Sequence, residues 1–333
     1  MVTLKDVAAA CGVSPATVSR ALNATGDNPS RHVRYIRHVA DNMGYRPNAA
    51  ARALKTNRSD NIGILYEDVM QHEYFSSLIE GLRLGAEKRG YDLTFLARHF
   101  DGEGKVYVAE AEYRSLDGII VVQADYASSR ILSLTGCGLP TVVVDNRLEG
   151  CGTVFSDNAA GMEKLVRHVA SLGHRRVAFI GGDEGSVTSL RLGGFYKGCA
   201  ESGIRAAPEW IFHAHYRDPQ SCFGALDSIL MGDVKPTCIL FPDDFCCIGA
   251  ISALAARGIR VPEDISIAGY DGVEMGRLMK PALTTYRQDS DGMADLAIQM
   301  LTDAISRGEQ SVSGIATAEG SLVEGETVRM IGG

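Results

Sequence analysis

Thr3-Leu4-Lys5-Asp6-Val7-Ala8-Ala9-Ala10-Cys11-Gly12-Val13-Ser14-Pro15-Ala16-Thr17-Val18-Ser19-Arg20-Ala21-Leu22-Asn23 reads as two short helices joined by a tight turn. Thr3 is a good N-cap, and Asp6, three residues on, completes a capping box with it. Leu4, Val7, Ala8 and Cys11 recur at helical spacing. Gly12 stands where the chain must turn, because glycine takes a positive φ at no steric cost. Ser14 then offers a second cap, followed by Pro15 at a first helical position that needs no N–H. Val18 and Leu22 supply the buried stripe of the second helix. Ala16, Thr17, Ser19, Arg20 and Asn23 are left facing outward, small or hydrogen-bonding. That layout is the one by which a helix-turn-helix presents its second helix to the major groove of DNA.

Charge sorts along the chain in agreement. Residues 1–60 carry nine Lys or Arg, among them Arg31, Arg34, Arg37, Arg46, Arg52, Lys55 and Arg58, against four acids, a balance of +5. The whole chain is −8, which leaves −13 on residues 61–333. A basic head on an acidic body implies a polyanion at one end only. Arg20, the one long donor on the second helix, suits a base edge such as guanine, while Pro15 and Ala16 suit a thymine methyl. A third helix is expected from about Ser30 to Met43, with Val33, Ile36, Val39, Ala40 and Met43 inward and Gly44 as its stop.

Beyond Asn61 the pattern changes to strand–helix alternation. Ile62–Tyr66, Leu93–Leu96, Gly118–Val122 and Thr141–Val144 form one set of short apolar strands, with Phe75–Arg89 among the helices between them. Val177–Ile180, Trp210–His213, Cys238–Phe241 and Ile265–Tyr270 form a second. Continuous apolar strands alternating with helices imply parallel sheets covered on both faces, and two sets imply two lobes. Acids follow strand ends: Asp145, Asp243, Asp244 and Asp271. A cleft at the carboxyl ends of such strands is where a ligand sits. Carboxylates and an arginine there suit a polyol, since each can make two hydrogen bonds to neighbouring hydroxyls.

The residues also carry a resemblance. Val2–Asn23, then Gly44-Tyr45-Arg46-Pro47-Asn48-Ala49-Ala50-Ala51-Arg52-Ala53-Leu54, closely resemble the LacI/GalR family of bacterial transcription regulators. Ser156-Asp157-Asn158, the Gly173–Gly182 run, Arg191-Leu192-Gly193-Gly194-Phe195, the Val261–Asp271 run and Pro281-Ala282-Leu283-Thr284-Thr285 follow in family order. The resemblance implies an all-α helix-turn-helix head (1–46), a hinge helix and linker (47–60) and an α/β two-lobed periplasmic-binding-protein-like body (61–333) with two doubly wound parallel sheets. The amino-terminal lobe is expected over about 61–158 and 290–317, the carboxyl-terminal lobe over about 159–289 and 318–333. The chain is expected to cross near 157–161, 287–290 and 315–320.

The same resemblance implies a ligand-responsive repressor bound to a two-fold operator as a homodimer, or as a tetramer. Its DNA contacts would come from Thr3, Ser14, Pro15, Ala16, Thr17, Ser19, Arg20 and Asn23. In the hinge, Asn48, Ala51 and Leu54 would join them, with Leu54 as a wedge in the minor groove. Eight residues are too few for a stable helix in water, so that hinge helix must be ordered by something else. The effector would meet Asp145, Arg191, Asp243 and Asp271, with Tyr74 and Phe75 at the ligand face. Arg217, where the family often puts a stacking aromatic, would stack or neutralise an anion. The expected ligand is a sugar or sugar derivative.

Other classes find little support. A 45% hydrophobic, 22% charged chain of 333 residues fits an ordinary globular protein with ample core. No apolar leader and no run approaching 18 apolar residues is present, so a cytoplasmic location without membrane contact is expected. The eight cysteines read as small buried hydrophobes, no C-x-x-C occurs, and His213-x-His215 is too little for a metal. No dinucleotide fingerprint, P-loop or G-x-S-x-G motif is found, so no cofactor or enzyme activity is expected. The alternatives are a sugar-binding transport protein of the same two-lobed fold, which would have no use for residues 1–58, and a hydrolase using Asp243 and Asp271 as a carboxylate pair.

Overall fold

The computed structural model describes residues 2–22, 24, 29–46, 58–67, 72–96 and 106–332. The chain divides into two compact units, Met1–Ser59 and Asp60–Gly333.

In the first unit, α1 (Leu4–Cys11), α2 (Pro15–Leu22) and α3 (Arg31–Asn42) enclose a small core. Val7, Ala8, Val18, Ala21, Ile36 and Ala40 are its buried members, and Leu4, Cys11, Leu22, Val33 and Met43 pack around them. The turn after α1 depends on Gly12, which sits in the left-handed region at φ 66° and returns its N–H to α1. Ser30 caps α3, its side chain accepting from the Val33 N–H.

The second unit contains two six-stranded sheets. The first sheet has the order β11-β5-β4-β3-β1-β2, all parallel. Its strands are β1 (Asn61–Tyr66), β2 (Asp92–Leu96), β3 (Gly118–Gln123), β4 (Thr141–Val144), β5 (Gly152–Ser156) and β11 (Ile315–Ala318). The second has the order β12-β10-β9-β8-β6-β7. It comprises β6 (Val177–Gly181), β7 (Ile211–His213), β8 (Cys238–Leu240), β9 (Ser266–Asp271), β10 (Thr285–Arg287) and β12 (Ser321–Val323), the last antiparallel to β10.

Burial on both faces explains the unbroken apolar runs. Ile62, Ile64, Ile120, Val122 and Val142 face one layer, with Leu78, Leu82 and the helix Ser290–Arg307. Leu65, Ile119, Val121 and Val143 face the other. In the second sheet Ala178, Ile180, Ile239 and Ile267 face one side, and Val177, Phe179, Leu240 and Tyr270 the other. Side chains alternate faces along a strand, so a strand covered on both faces favours apolar residues at successive positions.

The chain passes from β5 into the helix Asn158–Ser171, from β10 into the helix Ser290–Arg307, and from β11 to β12. Trp210 ends a 3-10 turn, Pro208–Trp210, instead of opening β7. Pro208 explains the difference: it lacks a ladder donor and suits a turn start.

Candidate functional site

Two surfaces hold the candidate residues, one on each unit. On the head, Thr3, Ser14, Pro15, Ala16 and Arg20 are exposed, and Thr17 and Ser19 half-exposed. Two of them also hold helices in place. Thr3 Oγ1 donates to Asp6 Oδ2 at 2.7 Å, and the Asp6 N–H returns to Thr3 Oγ1, the capping box read from the sequence. Ser14 Oγ accepts the Thr17 N–H at 3.2 Å and so caps α2. Arg20 lies back along its own helix, Nε donating to the Ala16 carbonyl at 3.4 Å. Arg37, counted above only as one of the basic residues, turns inward. Its Nε donates to the Ala21 carbonyl at 3.2 Å and its Nη2 to the Ala24 carbonyl. A cation from α3 thereby closes the carboxyl end of α2, where carbonyls lack partners. Asn23, Asn48, Ala51 and Leu54 lie outside the described residues.

On the body, a cavity of about 220 Å³ lies where the two lobes face each other. Tyr74, Phe75, Asp145, Arg191, Arg217, Asp243 and Asp271 all line it, so residues spread over 198 positions meet at one place. His72, Tyr126, Tyr216 and Gln288 complete much of the wall.

On the amino-terminal lobe, Asp145 follows β4. Its carboxylate accepts the Tyr74 hydroxyl at 2.8 Å and the Ser156 N–H at 3.2 Å. Burial raises its pKa against the pull of those bonds. Burial, then Asp145 itself, pushes the Tyr74 phenol well up, so Tyr74 stays a donor. Phe75 stands edge-on to Tyr74, Tyr66 and His72.

On the carboxyl-terminal lobe, Arg191 is 4% exposed. Its Nε donates to Asn158 Oδ1 and its Nη1 to the Pro242 carbonyl, both at 2.8 Å. Its Cζ lies 3.7 Å from the Tyr270 ring centroid. Only Nη2 is left, 3.8 Å from Asp271 Oδ1. The approach requires Gly194, since a Cβ there would run into the Ala159 backbone. Asp271 ends β9 and accepts from Gln288 Nε2 at 2.6 Å. Burial holds its carboxyl well above the usual range; Arg191 draws it down, and Asp243 and Asp244 push it up. His72 Nε2 faces Asp271 Oδ2 at 3.7 Å, and neither ring nitrogen of this buried histidine has a hydrogen-bond partner among the described residues. Burial also lowers the His72 pKa, so the ring is neutral.

Asp243 serves the fold as much as the cavity. Oδ1 accepts the Cys246 N–H at 2.7 Å as the cap of the helix Asp244–Ala255, and Oδ2 accepts the Arg217 N–H at 2.6 Å. Both oxygens thus have work to do, which argues against a catalytic carboxylate. Arg217, at φ 62°, reaches across to the Phe75 ring, 5.3 Å from Cζ to centroid. Next to it, Tyr216 shares a hydrogen bond with Thr188 and packs over Gly182, where any Cβ would enter its ring. The turn at Gly181–Asp183 is therefore a seat for Tyr216, with Asp183 accepting the Tyr216 N–H at 3.1 Å and pairing with His215.

Sequence reasoning passed over His72, Asn158, Tyr270 and Gln288 as site residues. A backbone signal marks the cavity independently. Among the described residues five non-glycines have positive φ, and three of them, Asp145, Arg217 and Asp271, line it. Such conformations gather where a side chain must be aimed.

Comparisons with known proteins match both units. Residues 3–48 match the model for bacterial regulatory proteins of the lacI family, and residues 166–328 that for a periplasmic binding protein-like domain. The HTH-type transcriptional repressor PurR of Pectobacterium carotovorum subsp. carotovorum is 32% identical over 312 residues, covering 92% of this chain and 91% of its own. That of Erwinia tasmaniensis is 33% identical over 318 residues, 93% of each chain. The lac repressor dimer bound to operator and the anti-inducer ONPF superposes with a TM-score of 0.77 at 25% identity, over 98% of this chain and 99% of that one. The chain belongs to the lacI family of bacterial regulatory proteins: it is a DNA-binding transcription regulator controlled by a small ligand, and not an enzyme.

Proposed function

We propose that the protein is a repressor, acting in the cytoplasm as a homodimer on a two-fold operator, and that its cleft takes a monosaccharide-sized polyol. Repressor action is supported by the PurR relatives, and dimeric operator binding by the lac repressor structure. In this reading the face of α2 bearing Arg20 reads bases. The segment Asn48–Lys55 orders against DNA, with Leu54 wedged in the minor groove.

One observation carries the ligand class. Two half-buried carboxylates, Asp145 and Asp271, stand on opposite walls of one cavity, and desolvation raises both. Each gains from a donor that replaces lost water. A sugar brings several hydroxyl donors, each of which also accepts from Arg191 or His72. Phe75, Tyr126 and Tyr216 offer apolar faces to the ring. The volume, about 220 Å³, is below the roughly 300–1,000 Å³ of drug-sized ligand sites, which favours one ring over two.

The test is a thermal-shift screen of ribose, glucose, galactose, gluconate, sugar phosphates and nucleobases on the full chain, since a bound ligand raises Tm by mass action. A sugar should stabilise the wild type, and Asp271→Ala should lose that response. Stabilisation by nucleobases and by no sugar overturns the polyol reading.

A further inference from the structure

The second lobe has another cavity, of about 500 Å³, at the other end of its sheet. The ligand cleft lies beyond the carboxyl ends of β6 and β9, where Gly182–Asp183 and Asp271 stand. The second cavity lies before the amino ends: Arg175 and Arg176 precede β6, Glu209 and Trp210 precede β7, and Asp233 lies between the helix Phe223–Met231 and β8. A five-residue strand separates the two places, roughly 17 Å at 3.3 Å per residue.

Its chemistry is unusual for a surface hollow. Arg205 joins Arg175 and Arg176 on the wall. Arg175 has a structural task, Nη1 donating to the Ala170 and His174 carbonyls at 2.7 and 2.9 Å. No hydrogen bond or ion pair among the described residues engages the side chains of Arg176, Arg205, Glu209 or Asp233. Opposite charges sharing one wall do not close on one another, so the guanidinium forks stay open to an incoming anion. Trp210, the single tryptophan of the chain, offers a partly exposed indole to the same space, and Ile229 gives it an apolar floor. Guanidinium groups match the oxygens of a phosphate in two-pronged fashion, indole takes a ring face, and carboxylates accept from hydroxyls.

We infer that this cavity is a second ligand site, for a phosphate monoester of a sugar or a nucleoside. Arg176 and Arg205 hold the phosphate, Trp210 packs on the ring, and Glu209 and Asp233 take hydroxyls. A regulator with this site reads two metabolites, one at each end of the second lobe, and occupancy of either changes affinity at the other by the same factor wherever the two are coupled.

The uniqueness of Trp210 supplies the assay. Glucose 6-phosphate, AMP and inorganic phosphate are titrated separately into the full-length protein, with Trp210 fluorescence and calorimetry read together. Saturable binding of at least one ester is expected, tighter than inorganic phosphate, and the two esters separate the sugar source from the nucleoside source. Arg176→Ala with Arg205→Ala, both exposed, should leave Tm unchanged and weaken the ester at least tenfold. Phe75→Ala, in the other cavity and on the other lobe, should leave it bound as before. Three results overturn the inference: neither ester binds in the millimolar range, the double variant binds like the wild type, or Phe75→Ala abolishes ester binding with the fold intact by circular dichroism and so moves the ester to the cleft.

Discussion

Replacing Arg191 by alanine removes the group on which the second wall of the cleft is built. Its two hydrogen bonds, to Asn158 Oδ1 and the Pro242 carbonyl, are short at 2.8 Å and have a cationic donor. Bonds of that kind contribute about 1.5–3 kcal/mol each. The stack on Tyr270 adds about 1–2 kcal/mol. Against these stands the cost of keeping a guanidinium 4% exposed, which the variant recovers. Breaking one partner of a buried charged pair costs about 3–5 kcal/mol in all, and that is the expected loss here. It corresponds to a fall in Tm of roughly 10 °C for a body of this size. Urea unfolding followed by circular dichroism measures it. Asn158→Ala alone and combined with Arg191→Ala closes a cycle whose coupling energy should be about 1.5–3 kcal/mol. A loss under about 1 kcal/mol, or zero coupling to Asn158, refutes the reasoning, because Arg191 would then be a replaceable surface cation.

Other outcomes follow from the same geometry. Arg20→Ala should cost roughly 1–3 kcal/mol in operator binding and relax preference at one base pair per half-site, whereas uniform weakening across sequences in a binding-site selection would mean a phosphate contact. Arg37→Ala should lower the stability of the head by about 1.5–3 kcal/mol through the two carbonyls it leaves at the end of α2, read by thermal melting of the head transition. Burial raises the Asp244 carboxyl to about 7, against the pull of bonds from Thr285, Val273 and Gly272. A folded pKa above the unfolded one stabilises fully below about 3.8 and is lost as pH rises through about 7; urea unfolding of wild type and Asp244→Asn at pH 5 and pH 8 should show a smaller decline in the variant. Leu54→Ala should weaken specific binding far more than non-specific binding, and equal DNA bending by both proteins in a circular-permutation assay would dismiss the wedge.

How much of this could be read from the chain follows the range of the interactions. The head is local: Thr3 with Asp6, Ser14 with Thr17 and Gly12 at its turn act within three or four residues, and spacing alone exposes them. The inner strands are legible because burial on both faces demands runs such as Val142-Val143-Val144. The edge and crossover strands β10, β11 and β12, of three or four residues, lack any such run. β5, Gly-Thr-Val-Phe-Ser, is buried throughout but reads as mixed. The acids of the cleft could be placed because strand ends aim there. The roles of Asn158 and Tyr270 could not, because they act through Arg191, 33 positions from one and 79 from the other. Arg37 misled for the same reason: its partners are carbonyls, which have no signature in sequence.

The polar contacts between the lobes explain how a small ligand can have a large effect. Each lobe encloses its own apolar layers, and among the described residues no buried cluster combines strands of both sheets. What spans the cleft among the described residues is sparse: Ser186 Oγ to the Asp145 carbonyl at 3.0 Å, the Glu274 N–H to Glu73 Oε1 at 2.6 Å, His72 facing Asp271, and Arg217 over Phe75. Isolated contacts of this kind contribute about 1 kcal/mol each, so lobe closure rests on a few kcal/mol. A ligand that bridges Asp145 on one wall to Arg191 and Asp271 on the other makes both sets of bonds only when the lobes are at one spacing. Its differential affinity for that spacing is therefore most of its binding energy. About 5.5 kcal/mol of such a difference is enough to turn a 1:99 population into 99:1. Arg191→Ala and Asp271→Ala each remove one half of the bridge, so the variants should hold ligand weakly and leave operator affinity the same with and without it. A full ligand response of operator affinity in both variants would place the control of DNA binding outside this cleft.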